Sequence, residues 1–351
     1  MISRNQTSEV KVGNIIIGGN NRIKIQSMCD IKTSNVSEII KQINHCAMLG
    51  ADLMRVSILD ESDAKAIKEI KKGISIPLVA DIHFDYKLAL LAIENGADKI
   101  RINPGNFGSD EKLDELVKYA KKNNVAIRIG VNSGSLEKEF QTNNLINDED
   151  KMVSSALKYI EKFEKREFYN LVISVKASDP LKTISVYRKL AKICKYPLHI
   201  GVTESGFDEV GIIRSVSALS PLLLEGIGST IRISLTHNPE KEIETCVRLL
   251  HDLGLYEKYP TIISCPTCGR TQVTNLSFLA NETLKYLVKN KKYIKVAIMG
   301  CVVNGIGEGK NADLGLAGGK NMYAIFKKGK IIREVNEKNA LNALFEEIDK
   351  F

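Results

Sequence analysis

Three cysteines and one glutamate make the strongest chemical pattern in this chain. "TIISCPTCGRTQ" (261–272) places Cys265 and Cys268 two residues apart, straight after a short β-branched run, and "IMGCVVNGIGEG" (298–309) adds Cys301 after a second buried-type strand. Thiols spaced C-x₂-C…C can grip one metal centre, and a fourth cysteine is missing nearby. Glu308 follows Cys301 by seven residues in a loop with Gly305, Gly307 and Gly309, whose lack of a side chain would let backbone pass close to a bulky inorganic cluster. Three thiolates and an oxygen suit either zinc or an iron–sulfur cluster. Zinc usually takes histidine as its further ligand, and His251 is the last histidine in the chain. A cluster prefers thiolates, and a carboxylate in one position leaves one iron with a harder, exchangeable ligand. Loop glutamates are mostly solvated, so the residue types alone leave both metals and the fourth ligand open.

A second set is cationic. Reading the C-terminal ends of successive β-rich runs gives Arg55, Asp81 with His83, Arg101 with Asn103, Arg128 with Asn132, Lys176, Thr203 with Glu204, and Arg232 with Ser234. Four arginines and a lysine on the strands of one barrel carry a large desolvation cost unless they meet an anion. Arginine forks match phosphate oxygens, so convergence would make a polyanion clamp, with Asp81 and Glu204 as acid–base candidates. His83 and His199 read as orienting or packing groups.

The elements that must position these residues repeat with one rhythm from residue 23 to about 250. Strand-like runs at 23–28, 52–58, 77–83, 99–103, 126–132, 170–176, 198–204 and 230–236 alternate with amphipathic stretches such as "VSEIIKQINHCAMLG" and "DEKLDELVKYAKKNN". Ser109 and Asp110 precede one such stretch, and Gly50 and Gly96 follow others, as helix boundaries require. Eight strand–helix units match a (β/α)8 TIM barrel, and no G-x-G-x-x-G follows the first strand to favour a doubly wound sheet. After "LYEKYP" the rhythm changes to strand, CPTC turn, helix, strand, Gly-rich loop (304–319), hairpin around Lys328-Gly329 and final helix. The expected organisation is an α/β barrel over 1–257 and a smaller α+β domain over 258–351. "GLAGGKN" (315–321) lacks phosphate-loop spacing and reads as a turn.

Bulk composition bounds the partners. The 351 residues are 44% hydrophobic and 26% charged, with no apolar run long enough to span a membrane and no apolar segment of secretory type near Met1. The net charge of +8 points to anions, but scattered lysines, zero Trp and few aromatics disfavour a nucleic-acid surface and leave an anionic small molecule. Seven cysteines, an odd number, without an export signal point to a reducing, cytoplasmic setting.

These motifs together resemble the 4-hydroxy-3-methylbut-2-en-1-yl diphosphate synthase family of the methylerythritol phosphate route to isoprenoids. The likeness runs through "QSM" (26–28), "MRVSI" (54–58), "VADIHFDY" (79–86), "RINPGN" (101–106), "IRIGVNSGSLE" (127–137), "ISVKASD" (173–179), "EGIGSTIRISLT" (225–236), "CPTCGR" (265–270) and "GCVVNGIGE" (300–308). It implies a TIM barrel and a small domain carrying a 4Fe-4S cluster on Cys265, Cys268, Cys301 and Glu308. It further implies reductive opening and dehydration of 2-C-methyl-D-erythritol 2,4-cyclodiphosphate to 4-hydroxy-3-methylbut-2-enyl diphosphate. Electrons would come singly from reduced flavodoxin or ferredoxin, and two chains would form a head-to-tail homodimer. The chain departs from the family pattern at "QSMCDI", where "QSMTNT" is usual, and at "GIGE", where "GPGE" is usual. Two other readings stay distinct: a zinc-stabilised barrel that binds an anionic metabolite without catalysis, and an iron–sulfur enzyme acting on another phosphorylated substrate.

Overall fold

The computed structural model describes residues 4, 6–83, 85–103, 109–136, 140, 142, 146–266, 268–273, 275–301, 307–319 and 322–351. The chain divides into two compact units, Met1–Leu255 and Tyr256–Phe351.

In the first unit eight parallel strands follow one another around a barrel: β3 (Lys24–Met28), β4 (Leu53–Ile58), β5 (Leu78–Ile82), β6 (Lys99–Ile102), β7 (Ala126–Asn132), β8 (Leu171–Lys176), β9 (His199–Ile200) and β10 (Thr230–Ile231). Pairing runs β8-β7-β6-β5-β4-β3-β10-β9, and a parallel bridge between Ile173 and Leu198 joins the two ends. All eight expected strands are present. The last two are shorter than the sequence suggests, because beyond Ile200 and Ile231 the ladder thins to single bonds such as Arg232 N–H to the Ile200 carbonyl at 3.1 Å. Helices cover the outside, and short polar side chains start them. Asp60, Asp85, Asn147, Asp179 and Asn238 each accept a backbone N–H of their helix's first turn, with Pro180 and Pro239 at the first helical positions of two.

Strand alternation sends every second residue into the barrel, and the layers differ in chemistry. The N-terminal end is closed by a hairpin that the strand–helix rhythm did not place, β1 (Glu9–Val12) and β2 (Ile15–Gly18), turning at Gly13-Asn14. Its Val10, Val12 and Ile17 pack on Leu53, Val79, Ala126 and Val172, the apolar floor of the barrel. Above that floor lie Lys99, Gln26, His199 and Thr230, all fully buried, and above them the arginines. With one end sealed by apolar packing, polar chemistry is confined to the C-terminal mouth.

The second unit is a five-stranded sheet ordered β11 (Thr261–Ser264), β12 (Lys295–Met299), β13 (Leu314–Gly318), β14 (Met322–Lys327) and β15 (Lys330–Asn336). The first three strands run parallel, β14 pairs antiparallel to β13, and β15 pairs antiparallel to β14 as the expected hairpin. The helices Leu276–Lys289 and Ala340–Asp349 complete its core, with Tyr286 and Phe345 stacked at 3.9 Å. Here one expectation is corrected. Residues 314–318 form a buried central strand and not part of a loop or turn. A Cβ on Gly315 would stand 2.0 Å from Phe326 Cζ, and one on Gly318 would stand 1.9 Å from Val273 Cγ2. The glycines therefore admit large neighbours onto a strand whose small residues disguise it.

Candidate active site

Every barrel cation expected at the mouth lines one cavity, four from strands and Arg232 from just beyond β10. A cavity of about 180 Å³ is lined by Arg55, Arg101, Arg128, Lys176 and Arg232, with His83, Asn132, Ser174, Thr203 and Ser234. A larger hollow of about 940 Å³ lies at the sealed end of the barrel among residues such as Glu9, Lys11 and Asn170, and none of the expected site residues reaches it.

Asp81 organises one side of the mouth. Its carboxylate meets Arg101 Nη1 at 3.1 Å, Arg55 Nη1 at 3.5 Å and His83 Nε2 at 3.5 Å, while only 2% exposed. Burial pulls its pKa upward, but Arg55, His83, Arg101 and Arg128 outweigh that and hold the group well below the carboxylate range. Asp81 therefore stays ionised and is unsuited to donating a proton. Burial pushes the Arg55 guanidinium down to about 10, with Arg232 and Arg101 adding to the effect and Asp81 opposing it.

The remaining cations are short of counter-charge. Arg128 is 3% exposed, and its Nε and Nη1 have no hydrogen-bond partner among the described residues; Arg101 Nε is in the same state. Burial and then the adjacent Arg55 and Arg101 drive Arg128 well below its ordinary value. Lys176 is lowered in the same way by burial and then Arg128, Arg232, Arg55 and Arg101. Room for these long side chains comes from two glycines: a Cβ on Gly130 would lie 2.8 Å from Arg101 Nε, and one on Gly201 would lie 2.7 Å from Lys176 Nζ.

The polar rim is less uniform. Asn132, Thr203 and Ser234 line the cavity, whereas Asn103 is buried at the end of β6. Glu204 is exposed, and its backbone has φ of 51°, left-handed and costly for a glutamate, in the bend that follows β9. Sequence reading did not single out three groups that the structure adds. Lys99 is fully buried and donates to Gln26 Oε1 at 3.1 Å; Met28 Sδ accepts from Arg55 Nη2 at 2.7 Å; Glu242 holds Arg232 Nε at 3.1 Å. Lys99 sits two positions before Arg101 on one strand, a spacing that could have flagged it. Cys29 is buried near the mouth, and burial, then Cys46, pushes its thiol up.

In the second unit Cys265 and Cys268 follow β11, and Cys301 follows β12. The two strands pair in parallel with Ser264 opposite Ile298, so Cys265 and Cys301 leave neighbouring strand ends. Both are buried, and Cys265 Sγ accepts the Gly300 N–H at 3.1 Å. Cys268 is exposed on a turn closed by Thr271, whose N–H reaches the Cys268 carbonyl at 2.9 Å and whose Oγ1 accepts the Cys268 N–H at 3.0 Å. The Arg270 N–H and then its side chain lower the Cys268 thiol's pKa. The turn is tied to the other strand end by Gln272 N–H to the Gly300 carbonyl at 2.9 Å. Among the described residues no three metal-binding side chains stand together. Residues 302–306, which include Gly305, lie outside the described residues, as does the side chain of Glu308; its backbone opens a short 3-10 turn, Glu308–Asn311. Gly307 faces open space, and Gly309 is required by Phe326, whose Cζ would lie 2.5 Å from an added Cβ. The donor set fits a thiophilic centre: two buried thiols on adjacent strand ends, an activated third on a tethered turn, and no histidine in this unit.

Comparison with known proteins decides the family. The GcpE TIM-barrel domain matches residues 7–247, and the GcpE protein C-terminal domain matches 261–350. The chain belongs to the GcpE family. It is 49% identical to the 4-hydroxy-3-methylbut-2-en-1-yl diphosphate synthase (flavodoxin) of Bacillus velezensis, over 99% of this chain and 92% of that protein. The like-named proteins of Caldanaerobacter subterraneus (49%, covering 99% and 98%) and Fusobacterium nucleatum (47%, covering 96% and 95%) are similar along their length. Nothing in these relatives supports a zinc-stabilised, non-catalytic barrel. Among solved structures, the dihydropteroate synthase of Stenotrophomonas maltophilia aligns with a TM-score of 0.55 at 14% identity, over 73% of this chain and all of that one. That likeness shows the barrel fold alone. Among the described residues no helix is long and apolar enough to cross a membrane.

Proposed function

We propose that this chain catalyses the reductive ring opening and dehydration of 2-C-methyl-D-erythritol 2,4-cyclodiphosphate to 4-hydroxy-3-methylbut-2-enyl diphosphate. The observation that carries this reading is the surplus of buried cation at the barrel mouth. Arg55, Arg101, Arg128, Lys176 and Arg232 share a cavity, while among the described residues Asp81 and Glu242 are the carboxylates that bond to them. A diphosphate supplies the missing charge and the acceptors that Arg101 and Arg128 lack.

In this account those five cations, with Asn103, Asn132, Thr203 and Ser234, hold the diphosphate. Asp81 keeps Arg55 and Arg101 aligned. Ring opening breaks a carbon–oxygen bond and leaves a further oxyanion on phosphorus, and preorganised guanidinium groups favour that developing charge. The hydroxyl on the neighbouring carbon departs as water, and Glu204, exposed beside Thr203, delivers its proton. Cys265, Cys268, Cys301 and Glu308 would hold the 4Fe-4S cluster. When bound, that cluster supplies single electrons, received from flavodoxin or ferredoxin, and Lewis acidity. Because the anion clamp and the thiols belong to different units, we propose a head-to-tail homodimer, working in the cytoplasm, in which one chain's barrel serves its partner's cluster.

The test is anaerobic turnover of the cyclic diphosphate with a low-potential reductant, comparing wild type with Glu204→Gln. Wild type should form the open diphosphate, and the variant should retain diphosphate binding while losing about 10²-fold or more in turnover. No product from the wild type overturns the assignment, and near-normal turnover by the variant removes Glu204 from it.

A further inference from the structure

Arg232 is gripped from behind by a carboxylate that never reaches the cavity. Glu242, in the first turn of the helix Pro239–Asp252, is 3% exposed and does not line the mouth. Its carboxylate accepts four donors: Arg232 Nε at 3.1 Å, Arg232 Nη2 at 3.3 Å, Ser27 Oγ at 2.5 Å and Leu235 N–H at 2.9 Å. Those donors come from the end of β10, from β3 and from the segment leading to the helix, so one group ties three parts of the barrel together.

The pattern of atoms is informative. Glu242 takes the side edge of the guanidinium, Nε and Nη2, and leaves Nη1 on the opposite corner, 3.7 Å from Met28 Sδ. The same sulfur accepts from Arg55. A thioether is a weak acceptor and carries no charge, so it can space two guanidinium groups without neutralising either. Without Glu242, Arg232 would sit among cations with no carboxylate of its own among the described residues, and its flexible chain would have to be ordered at the moment of binding.

We propose that Glu242 is a positioning residue for the diphosphate, holding Arg232 so that its free edge meets a phosphate oxygen. The inference rests on the reading of the mouth as a diphosphate site. It assigns Glu242 no contact with substrate.

A double-mutant cycle tests it, with the dissociation constant of inorganic pyrophosphate for the anaerobically purified holoprotein as the readout. Glu242→Gln should weaken pyrophosphate about tenfold in the wild-type background and less than about twofold when Arg232 is already methionine. Equal losses in both backgrounds would show that Glu242 serves the fold generally, and would overturn the proposal. If Glu242→Gln does not fold, Ser27→Ala removes one of the four holders and should show the same dependence on Arg232; an undiminished effect in the Arg232→Met background again overturns it. Failure of the wild type to bind pyrophosphate would instead sink the diphosphate reading beneath it, so the two failures are distinguishable.

Discussion

Lys176 shows at the scale of one side chain what the barrel mouth gives up in stability to keep its charge. Burial and four neighbouring arginines lower its pKa, so in the free protein its ammonium form is disfavoured. A bound diphosphate reverses that balance and raises the pKa again, which makes binding take up a proton. Affinity should be greatest below the lowered value of the free protein and should fall as pH rises through it towards 10.5. A cyclic diphosphate has one strongly acidic oxygen on each phosphorus and no proton to lose in that window, so the slope reports the protein. Lys176→Met should flatten this dependence, weaken binding about 10²-fold and stabilise the free fold by about 1 kcal/mol, because the cost of holding a buried lysine deprotonated is gone. Calorimetry in buffers of different ionisation enthalpy, together with thermal melting, checks all three. At this scale the sequence was readable where chemistry follows spacing. Arg55, Arg101 and Arg128 lie on barrel strands and Arg232 just follows one, and Cys265, Cys268 and Cys301 follow strands. Glu242 was not readable, because it looks like any acidic residue of a helix's first turns and its partner Ser27 lies 215 positions away.

At the scale of the element, alternation explains both what could be foreseen and what could not. The eight barrel strands announce themselves through β-branched residues on the outer face and inward polar groups at every second place. β13 does not, since "LGLAG" offers glycine and alanine where a central strand usually offers bulk. Its size is dictated from the next strand, by Phe326. Gly315→Ala should therefore cost the second unit about 1–3 kcal/mol through overpacking, and Phe326→Leu in the same chain should recover part of that loss. Chemical denaturation of the two variants and their combination measures it; an unperturbed Gly315→Ala would mean that the ring does not press on this strand. The N-terminal hairpin was missed for a related reason. "VKVGNIII" has a two-residue turn and alternation, but it precedes the strand–helix repeat that organises everything after it.

At the scale of the whole molecule, the clamp and the thiols occupy separate compact units, and the proposed chemistry needs both. If the partner chain supplies the second half of each site, two dead variants should rescue one another. Mixing Arg101→Met, crippled in the barrel, with Cys301→Ser, crippled in the second unit, should restore about a quarter of wild-type sites on random re-pairing of dimers. No recovery after verified exchange of subunits would place both halves of a site on one chain. The family relationship covers both units along nearly their whole length, so the two-unit organisation is legible from sequence.

Three cysteines and a glutamate in the second unit are proposed to hold a catalytic iron–sulfur cluster. Iron and sulfide analysis of the anaerobically purified protein, with its visible spectrum, addresses this most directly. About four irons and four sulfides per chain with broad visible absorption, lost together in Cys301→Ser, is the predicted result. A colourless protein holding zinc, or one whose iron is indifferent to Cys301, would contradict it.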